Sequence, residues 1–160
     1  MVIHSIPTTE GSGRKQIPSV RFVGDRRATT GKAARAAVKL AAQIQSGRTP
    51  SRIDEQEFFG ALQACAYRVT RHAGKNPESR QEKLEWFERW KRLRDYLFEE
   101  NLGLVYTMMN RFHSREVDWE DERSEALYAL MRAVEGFNPW VGFKFSTYAC
   151  NAIVRALVHI

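Results

Sequence analysis

Cysteine is scarce in this sequence. The 160 residues hold two, Cys65 and Cys150, in no CxxC or other metal-ligand spacing. A disulfide framework and a zinc site are thereby excluded, and the pair reads as free thiols in a reducing compartment. The four histidines, His4, His72, His113 and His159, are scattered and signal no metal centre. No apolar run approaches the ~18 residues of a membrane span, and no signal-peptide core is present. The expected location is the cytoplasm, without a membrane partner. Nucleophile elbow, P-loop and metal-ligand cluster are all missing, so the reading is not an enzyme and carries no cofactor.

Acidic residues are almost absent from the first third. Residues 1–52 carry ten Lys/Arg against Glu10 and Asp25. With a net charge of +6 for the whole chain, the rest is slightly acidic. The segment from Met1 to Thr30 is rich in Gly, Ser, Thr and Pro and shows no apolar period. It is expected to stay disordered, because it buries too little surface to offset ordering entropy. A basic arm of this kind either adds salt-sensitive affinity for nucleic acid or serves as a solubilising tail. The spacing of Ala33, Ala36, Ala37, Leu40, Ala41 and Ile44 predicts a short helix with a weak apolar stripe, ended by Gly47 and Pro50 and docking only against a partner. Residues 1–50 are thus set apart from a helical domain over 51–160, long enough for a core without staples.

The remainder reads as helix after helix, an all-α bundle. Asp54 to His72 carries Phe58, Leu62, Cys65 and Val69 on a face, with Ser51 or Asp54 as the cap. Glu78 to Phe112 has helical spacing throughout, with Asn101 placed to cap a fresh helix. Its Trp/Phe/Met stripes read as core. Asn101 is the exception, since an asparagine in an apolar stripe needs hydrogen-bond partners. Asp118 is placed to cap the next helix. The acids around it, Glu116 to Glu125, match the helix dipole on a solvated face. Gly136 is expected just past that helix, and Asn138-Pro139 as a turn. The last helix is expected to begin at Ser146 or Thr147, burying Ala149, Ala152, Ile153, Ala156, Leu157 and Ile160. Its pattern is still running at Ile160, so the reading favours a fragment of a longer protein over a reduced one.

The final third carries the chemistry. In Gly142-Phe-Lys-Phe-Ser-Thr-Tyr-Ala149 three aromatic rings alternate with a cation and two hydroxyls. Aromatic faces stack on unpaired bases, cations attract phosphate, and hydroxyls bond base edges. A helix start nearby points its free amides outward, as anion sites do. Phe143 flanks Lys144 directly, and residues one apart in an extended segment face opposite sides, so the run cannot all be buried. The alternative is that they are ordinary core.

This run follows Asn101-Leu-Gly-Leu-Val105 and Ala129-Leu-Met-Arg-Ala-Val-Glu-Gly-Phe137. The three strings in that order resemble the core promoter-binding domain of the sigma-70 family of bacterial RNA polymerase sigma factors. The resemblance is clear from about Asn101 to Ile160 and fainter back to Ser51. It implies a bacterial transcription initiation factor whose partners are the core polymerase and promoter DNA, and it admits an anti-sigma factor as a further partner. It places Asp121, Ser124, Glu125, Leu127 and Met131 on the clamp helices of the polymerase's largest subunit. A flipped adenine of the minus-ten element would enter a pocket of Phe143, Phe145, Thr147 and Tyr148. A second, downstream base would use Asn101, Leu104, Lys144 and Ser146. Asn151 and Arg155 complete the DNA-facing stripe.

The departures from the family are specific. Asn151 and Ala152 stand where primary sigma factors carry a wedging tryptophan pair. Leu127 replaces a polar residue, and Val141, preceded by Trp140, takes the place of an arginine. Arg155 replaces a glutamine, and arginine prefers guanine. Trp140 is either a substitute stacking surface or core. The expectation is an alternative sigma factor with shifted promoter preference and weaker melting. The rival readings are a clamp-binding protein that blocks other sigma factors, and a general single-strand binding module.

Overall fold

A computed structural model describes residues 16–48, 50, 54–72 and 74–160. Six α-helices account for most of them, and no strand occurs among the described residues. They are α1 (Gly31–Gln45), α2 (Glu55–Arg71), α3 (Pro77–Glu100), α4 (Leu102–Phe112), α5 (Trp119–Gly136) and α6 (Phe145–Val158). The all-α bundle expected from the periodicity is the fold.

The helix ends show why the chain breaks where it does. Asp54 accepts from the Gln56 amide and starts α2, while Ser51, the other expected cap, lies outside the described residues. Asn76 accepts from the Ser79 amide at 2.7 Å, and Pro77 follows at the first helical position. Asp118 accepts from the Glu120 amide at 2.8 Å and starts α5. Asn101 does break the long pattern, but from the other side. Its Nδ2 donates to the Leu97 carbonyl at 2.7 Å, so it satisfies the end of α3 and leaves α4 without a side-chain cap. Gly136 departs from expectation too. It is the last residue of α5, it has no positive φ, and Phe137 takes the cap position.

One apolar cluster joins all six helices. Phe59, Leu62, Leu93, Met109, Leu130, Phe137, Phe145 and Ile153 are its large, fully buried members. Phe59, Phe137 and Phe145 form a triangle of rings with centroids 4.5 to 5.3 Å apart. Offset and edge-on aromatic contacts of this kind add to the area they bury. Gly60 lets α2 approach the 137–144 loop closely, since a Cβ there would lie 3.0 Å from the Trp140 ring.

The N-terminal expectation needs correcting. Residues 1–15 lie outside the described residues, but 16–30 are laid against the helices instead of being free. Val20 and Phe22 pack on the core, and Phe22 meets Tyr67 at 5.4 Å. Ala28, in a 3₁₀ turn at Arg26–Thr29, is fully buried. The cause is a polar residue with no periodic signal. Gln63 of α2 is buried, accepts from the Val23 amide at 3.0 Å and donates to the Glu135 carbonyl at 3.1 Å. It ties the strap to the end of α5 while satisfying every group it buries. Helix α1 likewise packs within the chain, with Ala37 and Leu40 in the same cluster as Phe58 and Trp90. It needs no partner to bury its stripe.

Candidate nucleic-acid and protein interface

Helix α6 begins one residue earlier than the hydroxyl residues suggested. Lys144 is the cap residue and its side chain makes no capping bond. Ser146 and Thr147 are already helical and exposed. The cap comes from elsewhere in the chain: Glu55 Oε2 accepts from the Phe145 amide at 3.0 Å. A carboxylate at a helix N-terminus is favoured by the dipole. It also means that the expected anion site is partly filled by the protein's own anion. No sequence pattern could have paired residues 55 and 145, because the pairing depends on α2 and α6 meeting end to end.

The aromatic run separates where the extended approach gives way to helix α6 at Phe145. Phe143 is 61% exposed and Phe145 is 1% exposed. Phe145 sits between Phe59 and Phe137 and offers no face to a ligand in this conformation. Tyr148 is half-buried against Phe137, with ring centroids 5.5 Å apart. Phe143, Lys144, Ser146 and Thr147 are exposed around the start of α6, and Asn151 is exposed one turn on. Gly142, at φ +90°, supplies the backbone bend that turns Phe143 outward. Asn101 and Leu104 are half-buried on α4, which packs on α6.

A groove of about 350 Å³ runs between α5 and α6. Its floor is Ala129, Ala133, Ala152 and Ala156, and Tyr148 and Arg155 stand on one wall. Ala152 lies half-buried in that floor, so the position expected to wedge a duplex is flat. Tyr128, 61% exposed, and Arg132 rise from α5, with the guanidinium 5.7 Å from the ring centroid. Arg21 of the N-terminal strap also lines the groove, a residue that sequence reasoning left in a disordered arm.

The acids of α5 do not all face solvent. Asp121, Ser124 and Glu125 are exposed on one face, spaced i, i+3, i+4. Leu127 and Met131 are half-buried, and Leu127 leans on the core, which suits an apolar residue there. Glu122 breaks the solvated-face reading. It is 1% exposed, its Oε2 lies 2.6 Å from His113 Nδ1, and its Oε1 accepts from the Ser114 amide at 2.9 Å. Those bonds, the Ser114 amide first, hold its carboxyl below the usual glutamate range. Glu122 therefore fastens the α4–α5 loop to α5. Glu125 lines the α5–α6 groove beside Arg155, so the two expected surfaces, for protein and for nucleic acid, meet there.

Trp140 is held by protein on both sides. Its ring lies against Gly60, and the Arg27 guanidinium sits 5.3 Å from its centroid. Arg27 is itself fixed by Asp25, through two side-chain bonds of 2.9 Å. Among the described residues no cluster of His, Cys, Asp and Glu could hold a metal, and no helix is long and apolar enough to cross a membrane.

Residues 97–159 match the family model described as sigma-70 region 2. The chain is 32% identical over 124 residues to the RNA polymerase sigma-B factor of Nostoc sp., covering 64% of this chain and 36% of that protein. It is 42% identical over 65 residues to the RNA polymerase sigma factor SigA of Lactococcus lactis, covering 38% and 18%. The SigA of Nostoc sp. is 35% identical over 71 residues, covering 42% and 18%. The chain thus spans about a third or less of the length of these relatives. The matched helices are α4, α5 and α6, those that build the groove and the exposed aromatic end. Residues 97–159 thus form a region of the sigma-70 type, the part over which the chain is similar to these RNA polymerase sigma factors.

Proposed function

We propose that this chain takes part in promoter-directed transcription initiation, with α5 on the polymerase clamp and the start of α6 on the single strand of the minus-ten element. The observation that carries the reading is the split between Phe143 and Phe145. A ring 61% exposed on a soluble helix start, beside Lys144 and held out by Gly142, has no packing role in the chain. It suits stacking on an unpaired base. Tyr148 has one side on Phe137 and another on the groove, which suits a second stacked base. The chemistry involves no covalent step. A base leaves the duplex stack at a cost of a few kcal/mol, and each base stacked on an aromatic side chain returns about 1–3 kcal/mol. Lys144 and Arg155 neutralise phosphate, and Thr147, Ser146 and Asn151 offer polar contacts to base edges. Asn101 and Leu104 would line the downstream base from α4. Phe145 acts from beneath, as the buried support of the outward pair.

On α5, Asp121, Ser124 and Glu125 form the polar face that would meet basic side chains of the clamp, with Leu127 and Met131 at its edge. Complementary charge of this kind steers encounter and fixes register more than it adds affinity. A second reading has one observation in its favour. Ala152 in the groove floor and exposed Asn151 leave no wedge against the duplex edge. A protein that holds the clamp without opening DNA, and so excludes other sigma factors, fits that absence. Pull-down with core polymerase, followed by sequencing of the co-purified DNA, tests both. Core binding with enriched minus-ten sequences is the expected result. Core binding with no enriched DNA favours the blocking role, and no core binding overturns both readings.

A further inference from the structure

The α5–α6 groove carries more positive charge than the matched region supplies. Arg132 and Arg155 come from α5 and α6, and Arg21 reaches in from the strap, outside residues 97–159. None of the three makes an ion pair among the described residues, although Glu125 lines the same groove. Three arginines against one carboxylate give the groove a net positive charge, which favours an anion there. Arg21 is also held in place. The strap is anchored two residues later through Val23 and Gln63. The Arg21 guanidinium lies over Gly136 so closely that a Cβ there would be 2.6 Å from Nη1 and 2.8 Å from Cζ. Helix α5 has no basic residue in its last turn, so its negative end favours the cation that the strap delivers.

We infer that Arg21 is a nucleic-acid contact: with Arg132 and Arg155 it clamps a backbone phosphate of the strand seated on Tyr148. The guanidinium fork matches phosphate oxygens in two parallel bonds, which a surface lysine does not offer. The alanine floor lets the backbone approach, and Tyr148 on the groove wall supplies the stacking surface for the adjacent base. The strap is thereby part of the binding surface, and its basic character has a located purpose. The inference rests on the promoter reading for the identity of the strand, but the phosphate contact is independent of base sequence.

Gly136 makes the test specific. It is helical with ordinary φ, so Gly136→Ala is tolerated by the backbone and displaces the flexible end of Arg21 without removing its charge. The full chain, Arg21→Gln, Gly136→Ala and Arg26→Gln, a strap arginine outside the groove, would be titrated with two single strands over a salt series, with core polymerase present. One strand carries a minus-ten element and the other its scrambled sequence. Arg21→Gln should bind both about tenfold more weakly at low salt, as expected for a lost charged hydrogen bond. Its salt slope should be shallower by about 0.7, one phosphate's share. Gly136→Ala should shift in the same direction, and Arg26→Gln should keep the wild-type slope. If Arg21→Gln keeps wild-type affinity and slope, the inference is overturned, even where its melting temperature falls, since Arg21 would then only complete α5. If the wild type binds both strands alike and Arg21→Gln weakens both, the phosphate contact stands and the promoter reading fails. If the wild type prefers the minus-ten strand and Arg21→Gln is silent, the promoter reading stands alone. Binding to neither strand overturns both.

Discussion

Phe143 and Phe145 sit two positions apart and meet opposite environments, because Gly142 at φ +90° redirects the chain just before α6. At this scale the stacking role is directly testable. Phe143→Ala and Tyr148→Ala should each cost about 1–3 kcal/mol of affinity for single-stranded minus-ten DNA, and less for duplex, with core polymerase present. Fluorescence titration with both DNA forms reads the difference. Lys144→Ala should weaken both forms and flatten the salt dependence. Equal losses on both forms for the aromatic variants would make them packing residues. The two cysteines differ as sharply. Burial pushes the Cys65 thiol up to about 12, with no solvent access, while Cys150 is half-buried. An alkylating reagent at neutral pH should label Cys150 first and leave Cys65 unlabelled until the protein unfolds, which mass spectrometry of digested samples would show.

The elements are fastened by carboxylates from other elements. Glu55, in the first turn of α2, caps α6 through the Phe145 amide. Glu55→Ala should cost about 1 kcal/mol of stability, the usual value of a lost N-cap, and loosen the segment that presents Phe143. Urea denaturation gives the first, and faster amide exchange at Phe145 and Ser146 the second. An unchanged exchange rate would show that α6 starts without help from α2. Glu122 does the corresponding work between α4 and α5, and its role depends on pH. Its folded-state pKa lies below the ordinary glutamate value, so its contribution is fully present above about pH 4.3 and is lost as pH falls through the lower folded value. Glu122→Gln should therefore be less stable than the wild type near neutral pH, and the gap should close in acid. Thermal melts over a pH series check this, and a constant gap would sink it.

For the whole molecule, one stripe of α5 carries acid at its start and base further along, since Asp121, Glu125, Tyr128 and Arg132 recur at i, i+4, i+7 and i+11. Glu125, Tyr128 and Arg132 line the α5–α6 groove, and Asp121 is exposed one turn before it. Reversing charge at Asp121 and Glu125 to lysine should weaken competition for core polymerase while leaving the helical circular dichroism unchanged. If the double variant competes as well as the wild type, these acids only match the α5 dipole. The strap gives the same helix a third neighbour. Gln63 ties Val23 to the Glu135 carbonyl, and Arg94 of α3 reaches Glu135 at 3.5 Å, so the end of α5 is the point where strap, α2 and α3 converge.

The sequence by itself determined the helices, because their apolar positions recur at 3.6 residues and their starts carry Asp54, Asn76 and Asp118, whose side chains bond local amides. It carried the resemblance to sigma-70 region 2 in contiguous strings of α4, α5 and α6, whereas the parting of Phe143 from Phe145 was decided by the bend at Gly142 and the packing of Phe145 on Phe59 and Phe137. Only the tertiary structure decided what depends on residues far apart in the chain. The pairing of Glu55 with α6 spans 90 residues, and Gln63 reaches 40 residues back to Val23 and 72 forward to Glu135. Such bonds leave no periodic trace, because one buried polar group needs one partner and the fold alone says which. For that reason residues 16–30 read as disordered, Glu122 read as a solvated acid, and Arg21 read as part of a tail. Their roles come from where helices meet, and local spacing carries no record of that.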